Sequence, residues 1–125
     1  MIDFNNSSVF KLKPINNSDA KEGFLKLLIN GENIVATFKS IRDQVVFTNK
    51  RIIAANVQGI TGSKVDYTSI PYSKIQTFSV ESSGSFDMDC ELQLYISAVG
   101  KVSFEISGSF DILPFNRSLA EFILS

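Results

Sequence analysis

From Ile34 onward the apolar residues recur at every second position, in short runs broken by turn-forming residues, and this period dominates what the chain can fold into. The clearest runs come late. Leu92, Leu94 and Ile96 alternate with Gln93, Tyr95 and Ser97; Val102, Phe104 and Ile106 alternate with Ser103, Glu105 and Ser107. Each such strand offers one face to a core and one to water. Earlier strands are expected at 34–41, 45–48, 51–57, 65–70 and 75–80, the fourth ended by Pro71, which removes a ladder hydrogen bond. After Gly108 the period becomes 3.6: Ile112, Phe115, Leu119 and Phe122 share one face, Asp111 is placed to cap a helix, and Pro114 falls in its first turn. A shorter helical face, Ala20, Phe24, Leu27 and Leu28, precedes the strands, with Ser18 or Asp19 as cap and Gly31 past its end. Residues 1–18 are polar, rich in Asn and Ser, interrupted by Pro14, and read as an irregular arm. Residues 19–125 read as a single domain: seven strands bent into a sheet or small barrel, closed on one side by the C-terminal helix.

A chain of 125 residues with 44% hydrophobic residues, 11 of them Phe, is large enough to fold around one core without metal or disulfide. Twelve basic residues against 13 acidic give no basic field, so nucleic acid is not an expected partner. The single cysteine excludes an internal disulfide. No stretch approaches the roughly 18 apolar residues of a membrane span, and the first residues lack a basic and then apolar leader, so a cytoplasmic location is expected.

The stretches "FTNKRII", "QGITGSKVDY", "SIPYSKI" and "SFDMDCEL", in that order and followed by the C-terminal helix, resemble the bacterial pleckstrin-homology (PH) domain family. The resemblance runs from about residue 20 to the end. It implies a mainly β, PH-like fold: a seven-stranded bent antiparallel β-barrel, a C-terminal α-helix capping it and a short N-terminal helix. It also implies similarity to ring-forming homo-oligomers, without fixing an activity.

Little here carries chemistry. With no His, Ser-His-Asp, Cys-His and His-containing zinc sites are excluded, so no enzyme and no cofactor are expected. Cys90, at the start of a strand, has nothing nearby to lower its pKa. Asp87, Asp89 and Glu91 alternate in "FDMDCE", yet Leu92 and Ala98 stand where a calcium loop needs Gly and an acid, so no metal site is assigned. "GITGSK" joins two strands instead of opening a helix, so it reads as a turn and not a phosphate loop.

The adjacent cations Lys50 and Arg51 read as the solvated rim of a hairpin, or as a contact with a partner. In lipid-binding PH domains, the resemblance implies, basic loops follow strands one, three and six. Here those loops hold Arg42, Lys64 and Lys101, too sparse for a multiply charged headgroup, and no strong phosphoinositide binding is expected. These three remain the site of the alternative reading, a peripheral lipid or membrane-surface module. The leading expectation is a non-catalytic interaction or scaffold domain, with an unknown protein partner, that forms a homo-oligomer such as a ring. Its contact is expected at a strand edge, the first or fifth of the expected strands, with Gln76, Phe78 and Val80 as the edge residues.

Overall fold

The computed structural model describes residues 1–2, 9–82, 84 and 89–125. Among the described residues eight strands form one sheet: β1 (Val9–Ile15), β2 (Ile34–Lys39), β3 (Gln44–Thr48), β4 (Arg51–Gln58), β5 (Lys64–Pro71), β6 (Thr77–Ser82), β7 (Cys90–Ile96) and β8 (Gly100–Ile106). Helix α1 (Glu22–Leu27) lies between β1 and β2, and α2 (Ile112–Leu124) follows β8. The spatial order is β5-β4-β3-β2-β1-β8-β7-β6, so the sheet is bent but open, with β5 and β6 at its ends.

One more strand is present than the seven expected. Within the segment read as an irregular arm, β1 joins two meanders. Its first half, Val9 to Leu12, pairs parallel with β8, and its second half, Lys13 to Ile15, pairs antiparallel with β2. Pro14 lies beyond the last β8 residue paired with β1, where the strand keeps only β2 as its neighbour. A proline is tolerated where one side of a strand is free. This insertion also corrects an expected edge: β2 is paired on both sides and is not an edge strand.

The runs Val45-Val46-Phe47 and Ile52-Ile53-Ala54-Ala55 are apolar without alternation because both faces of β3 and β4 are covered. On the outer face, Phe24 of α1 is fully buried against Val46, Ile53 and Ala55, with its ring edge-on to Tyr67 at 5.3 Å. Burying such a side chain contributes roughly 2–3 kcal/mol. The inner face packs against α2. Phe115 lies 5.0 Å from Phe47 and 5.8 Å from Phe38, centroid to centroid, and Leu119 is buried in the same cluster as Leu92, Leu94, Phe104 and Ile106. Phe122 is half-buried, stacked on Tyr72 at 5.5 Å. The Asp111 carboxylate accepts from Leu113 N at 3.3 Å and caps α2. Among the described residues no helix is long and apolar enough to cross a membrane.

Candidate functional site

The hairpin between β3 and β4 has the expected two-residue loop, Asn49-Lys50, but its two cations part company. Lys50 is exposed. Arg51 turns back and binds Glu32, whose carboxylate is fully buried: Nε donates to Oε2 at 2.9 Å and Nη2 to Oε1 at 3.0 Å. The same guanidinium donates to the Leu27 carbonyl at 2.7 Å and the Ser69 hydroxyl at 3.1 Å. Thr48 Oγ1 donates to Glu32 at 2.7 Å, and Ile29 N donates at 3.1 Å. Burial by itself would raise the Glu32 pKa, but hydrogen bonds from Arg51, Thr48 and Ile29 outweigh it and hold the carboxyl below its ordinary range. Tyr72 Oη completes the knot, donating to the Thr48 carbonyl at 2.5 Å. Burial, then the Glu32 charge, push its phenol far above the usual tyrosine range. Arg51 is therefore no solvated rim. It fastens the end of α1, the hairpin and β5 together.

Strand directions put the loops β2–β3, β4–β5 and β7–β8 on one side of the sheet and the β3–β4 hairpin on the other. Arg42, Lys64 and Lys101 thus share an end. They are exposed, but they do not converge on a built site. The Arg42 guanidinium donates to the Gly59 carbonyl in the β4–β5 loop, Lys64 stands opposite Gln58, and Lys101 of β8 stands opposite Tyr95 of β7. Ile41 and Ile60, in the first two of these loops, are fully exposed.

A denser basic cluster escaped the sequence reading. Lys11 and Lys13 of β1 lie on one face, Lys13 faces Lys39 of β2 across the strand pair, and the three line a depression of about 290 Å³ with Ser40 and Ile41. The signal was present, since "FKLKPI" alternates, but Pro14 and the flanking Asn and Ser masked it. Beside it on the same face runs an acidic row. Glu81 of β6 stands opposite Glu91 of β7, Glu91 opposite Glu105 of β8, and Glu105 opposite Lys11 of β1. Of the acids in "FDMDCE", Glu91 belongs to this row, Asp89 accepts from Gly108 N at 2.6 Å, and Asp87 lies outside the described residues. No three acids among the described residues are grouped to hold a metal. Cys90 is buried in the core, and burial, then Asp89, raise its thiol pKa.

At the sheet edge, β6 pairs only with β7 among the described residues. Phe78 and Val80 point inward and are half-buried against the core, whereas Gln76 precedes the strand and its side-chain oxygen accepts from Ser97 N at 2.8 Å. The opposite edge, β5, is met by the chain start: Ile2 N donates to Thr68 Oγ1 at 3.1 Å.

A family model described as a bacterial PH domain matches residues 3–123. The chain belongs to the bacterial PH domain family. Two proteins of Bacillus subtilis (strain 168) are similar: the uncharacterized protein YjqA, 49% identical over 77 residues, and the uncharacterized protein YozO, 39% identical over 77 residues. Each match covers 62% of this chain, and the chain spans 62% of the length of YjqA and 66% of YozO. Among solved structures, a DUF1696 family protein with a PH domain from Shewanella loihica PV-4 superposes with a TM-score of 0.74 at 35% identity, over 91% of this chain and 98% of that one. A PH domain from Shewanella amazonensis SB2B gives 0.60 at 38% identity, over 88% and 94%. The similarity extends through β1, so the bacterial PH fold here includes the strand that the sequence reading left out.

Proposed function

We propose that this bacterial PH domain is a non-catalytic interaction module that self-assembles through the edge of β6. One observation carries the reading: β6 ends the sheet with its outer side unpaired among the described residues, two half-exposed apolar side chains, Phe78 and Val80, and a single charge, Glu81. Natural edge strands are commonly blunted by charge, proline or a covering segment, and an edge lacking these templates another strand. Pairing would satisfy the free backbone groups and cover Phe78 and Val80. A head-to-tail contact of this kind closes into a ring when its rotation divides the circle. The non-catalytic reading rests on the lack of His and on the roles of Glu32 and Tyr72, both used in packing.

Light scattering tests the assembly. The wild type at tens of micromolar is expected to run as a multimer. Val80→Lys, whose half-exposed position lets the ammonium reach water while the stem stays on the core, is expected to lower the mass without changing the circular dichroism. A wild-type monomer at that concentration, or a Val80→Lys variant of unchanged mass, refutes the reading.

The lipid-surface alternative has the lysine depression and the exposed Ile41 in its favour, and the acidic row one strand away against it. It predicts co-sedimentation with anionic vesicles that Lys13→Glu abolishes.

A further inference from the structure

Lys13 and Lys39 stand directly opposite one another on β1 and β2, and Lys11 lies two residues back along β1 on the same face; all three are exposed. Like charges set directly opposite in a sheet destabilise it. Lysines often guard a sheet edge against pairing, but β1 and β2 lie mid-sheet, with three strands on either side of the pair. The nearby acids do not neutralise Lys13 and Lys39. Glu105 stands opposite Lys11, but the β1–β8 pairing ends at Leu12 and Ile106, so no acid of β8 stands opposite Lys13. The Asp43 carboxylate, in the turn after Lys39, is held toward β4, where it accepts from Asn56 Nδ2 at 3.0 Å and Val57 N at 2.8 Å. Gln44, opposite Lys39 on β3, spends its amide on the backbone of Lys21 and Asp19. None of the three lysines takes part in an ion pair among the described residues.

Charge and size together select the occupant. The depression that the three lysines line with Ser40 and Ile41 has no acid in its walls, and its volume of about 290 Å³ suits a small ligand. An ammonium group offers three donors and no acceptor, so the complement is an anion rich in acceptor oxygens. A phosphate group carries several such oxygens on one centre and can accept from two or three ammonium groups at once. An extended anion, such as a bilayer or a nucleic acid, would spread onto Glu105 and then Glu91, on strands spaced at about 4.8 Å. A compact anion seated between Lys13 and Lys39 does not reach that row. We propose that Lys11, Lys13 and Lys39 bind the phosphate group of a small soluble ligand. Lys13 and Lys39 clamp it from two strands, and Lys11, shared with Glu105, closes the side toward β8. The site is separate from the loop cations Arg42, Lys64 and Lys101, since two of its lysines belong to β1, the strand added to the seven expected. It contains no residue of the β6 edge and does not depend on assembly there.

The probe is pyrophosphate, titrated into the full chain by calorimetry at about 0.1 M salt, where the screening length is roughly 10 Å. Saturable binding is expected. Lys13→Gln and Lys39→Gln, each removing a charged donor, are each expected to weaken it about tenfold or more. Lys50→Gln, in the β3–β4 hairpin, is expected to leave it unchanged. The absence of saturable binding overturns the proposal, as does binding that neither Lys13→Gln nor Lys39→Gln weakens. Binding that Lys50→Gln weakens equally is diffuse attraction to cations and overturns it too. Stability supplies a second readout. Either substitution in the clamp relieves the repulsion and is expected to hold or raise the urea midpoint without ligand. Pyrophosphate is expected to raise the midpoint of the wild type and leave that of Lys13→Gln unmoved; a rise of equal size in both contradicts the site. Should Lys13→Gln fail to fold, Lys39→Gln decides from the other strand. Phosphatidylglycerol vesicles separate the lipid source: a wild type that ignores pyrophosphate but pellets with vesicles, and loses this in Lys13→Gln, assigns the lysines to a membrane and overturns the proposal. Light scattering of the same samples reports the β6 assembly independently, so failure of either reading leaves the other standing.

Discussion

Replacing Arg51 with Ala tests whether the hairpin cation is a structural fastener. The substitution leaves the Glu32 carboxylate, which has no exposed side-chain surface, with donors from Thr48 and Ile29 only. Removing one partner of a buried pair costs about 3–5 kcal/mol. The Arg51 side chain is 23% exposed, so water can follow it into the gap, which argues for the lower end of that range. The Leu27 carbonyl and Ser69 hydroxyl also lose a donor but lie where water can replace it, adding about 0.5 kcal/mol each. The expected loss is about 3–4 kcal/mol. With a urea m-value of about 1.5–2 kcal/mol/M for a domain of this size, the midpoint falls by roughly 2 M at unchanged m. Urea titrations followed by circular dichroism measure this. Arg51→Lys keeps the charge without the two-pronged geometry and is expected to fall between the two. In the double-mutant cycle, Glu32→Ala with Arg51→Ala is expected to cost about 2 kcal/mol less than the sum of the single changes. A loss below about 1 kcal/mol for Arg51→Ala, with no coupling to Glu32, is the behaviour of a surface ion pair and refutes the reasoning.

The same pair sets a pH dependence. The folded-state pKa of Glu32 lies below its unfolded value of about 4.3, so the unfolded chain binds more protons between the two values. The contribution is fully present above the unfolded pKa and is lost as pH falls through the folded one. Urea midpoints from pH 7 to pH 3 are therefore expected to decline more steeply in the wild type than in Glu32→Gln. In the aromatic core, Phe47→Ala should cost about 3–5 kcal/mol, because its ring is fully buried and touches Phe38, Phe104 and Phe115. Phe122→Ala, half-buried at the margin of the core and stacked on Tyr72, should cost about 1.5–2.5 kcal/mol, and thermal melts that reverse this order contradict the described packing of α2.

Periodicity made α2 legible, with Asp111 at its cap and Phe115 and Leu119 on its buried face, because a helix face is written within ten consecutive residues. It made seven strands legible for the same reason. It failed at β1, where Pro14 and the polar flanks counted against a strand; pairing with β8 on one side and β2 on the other outweighs that local bias. The surface features were illegible for a different reason. Arg51 and Glu32 stand 19 residues apart, and nothing local to "TNKRII" shows that the second cation has a buried acid waiting. Glu81, Glu91 and Glu105 belong to three strands, and Lys13 and Lys39 to two more. Each looks like the solvated side of an alternating run until the register is known.

Register also decides which charges share the outer face. In a sheet, a change of one residue in pairing moves a side chain to the opposite face. The charge rows exist only because β8 and β1 are aligned with Lys11 against Glu105 and β1 and β2 with Lys13 against Lys39. The strand that holds the two meanders together therefore also sets acid beside base on the open face. A lesion in β1 that spares the two meanders, such as Leu12→Ala at a fully buried position, would act on both at once. The fold loses part of its core, and the face loses the alignment that sets acid beside base.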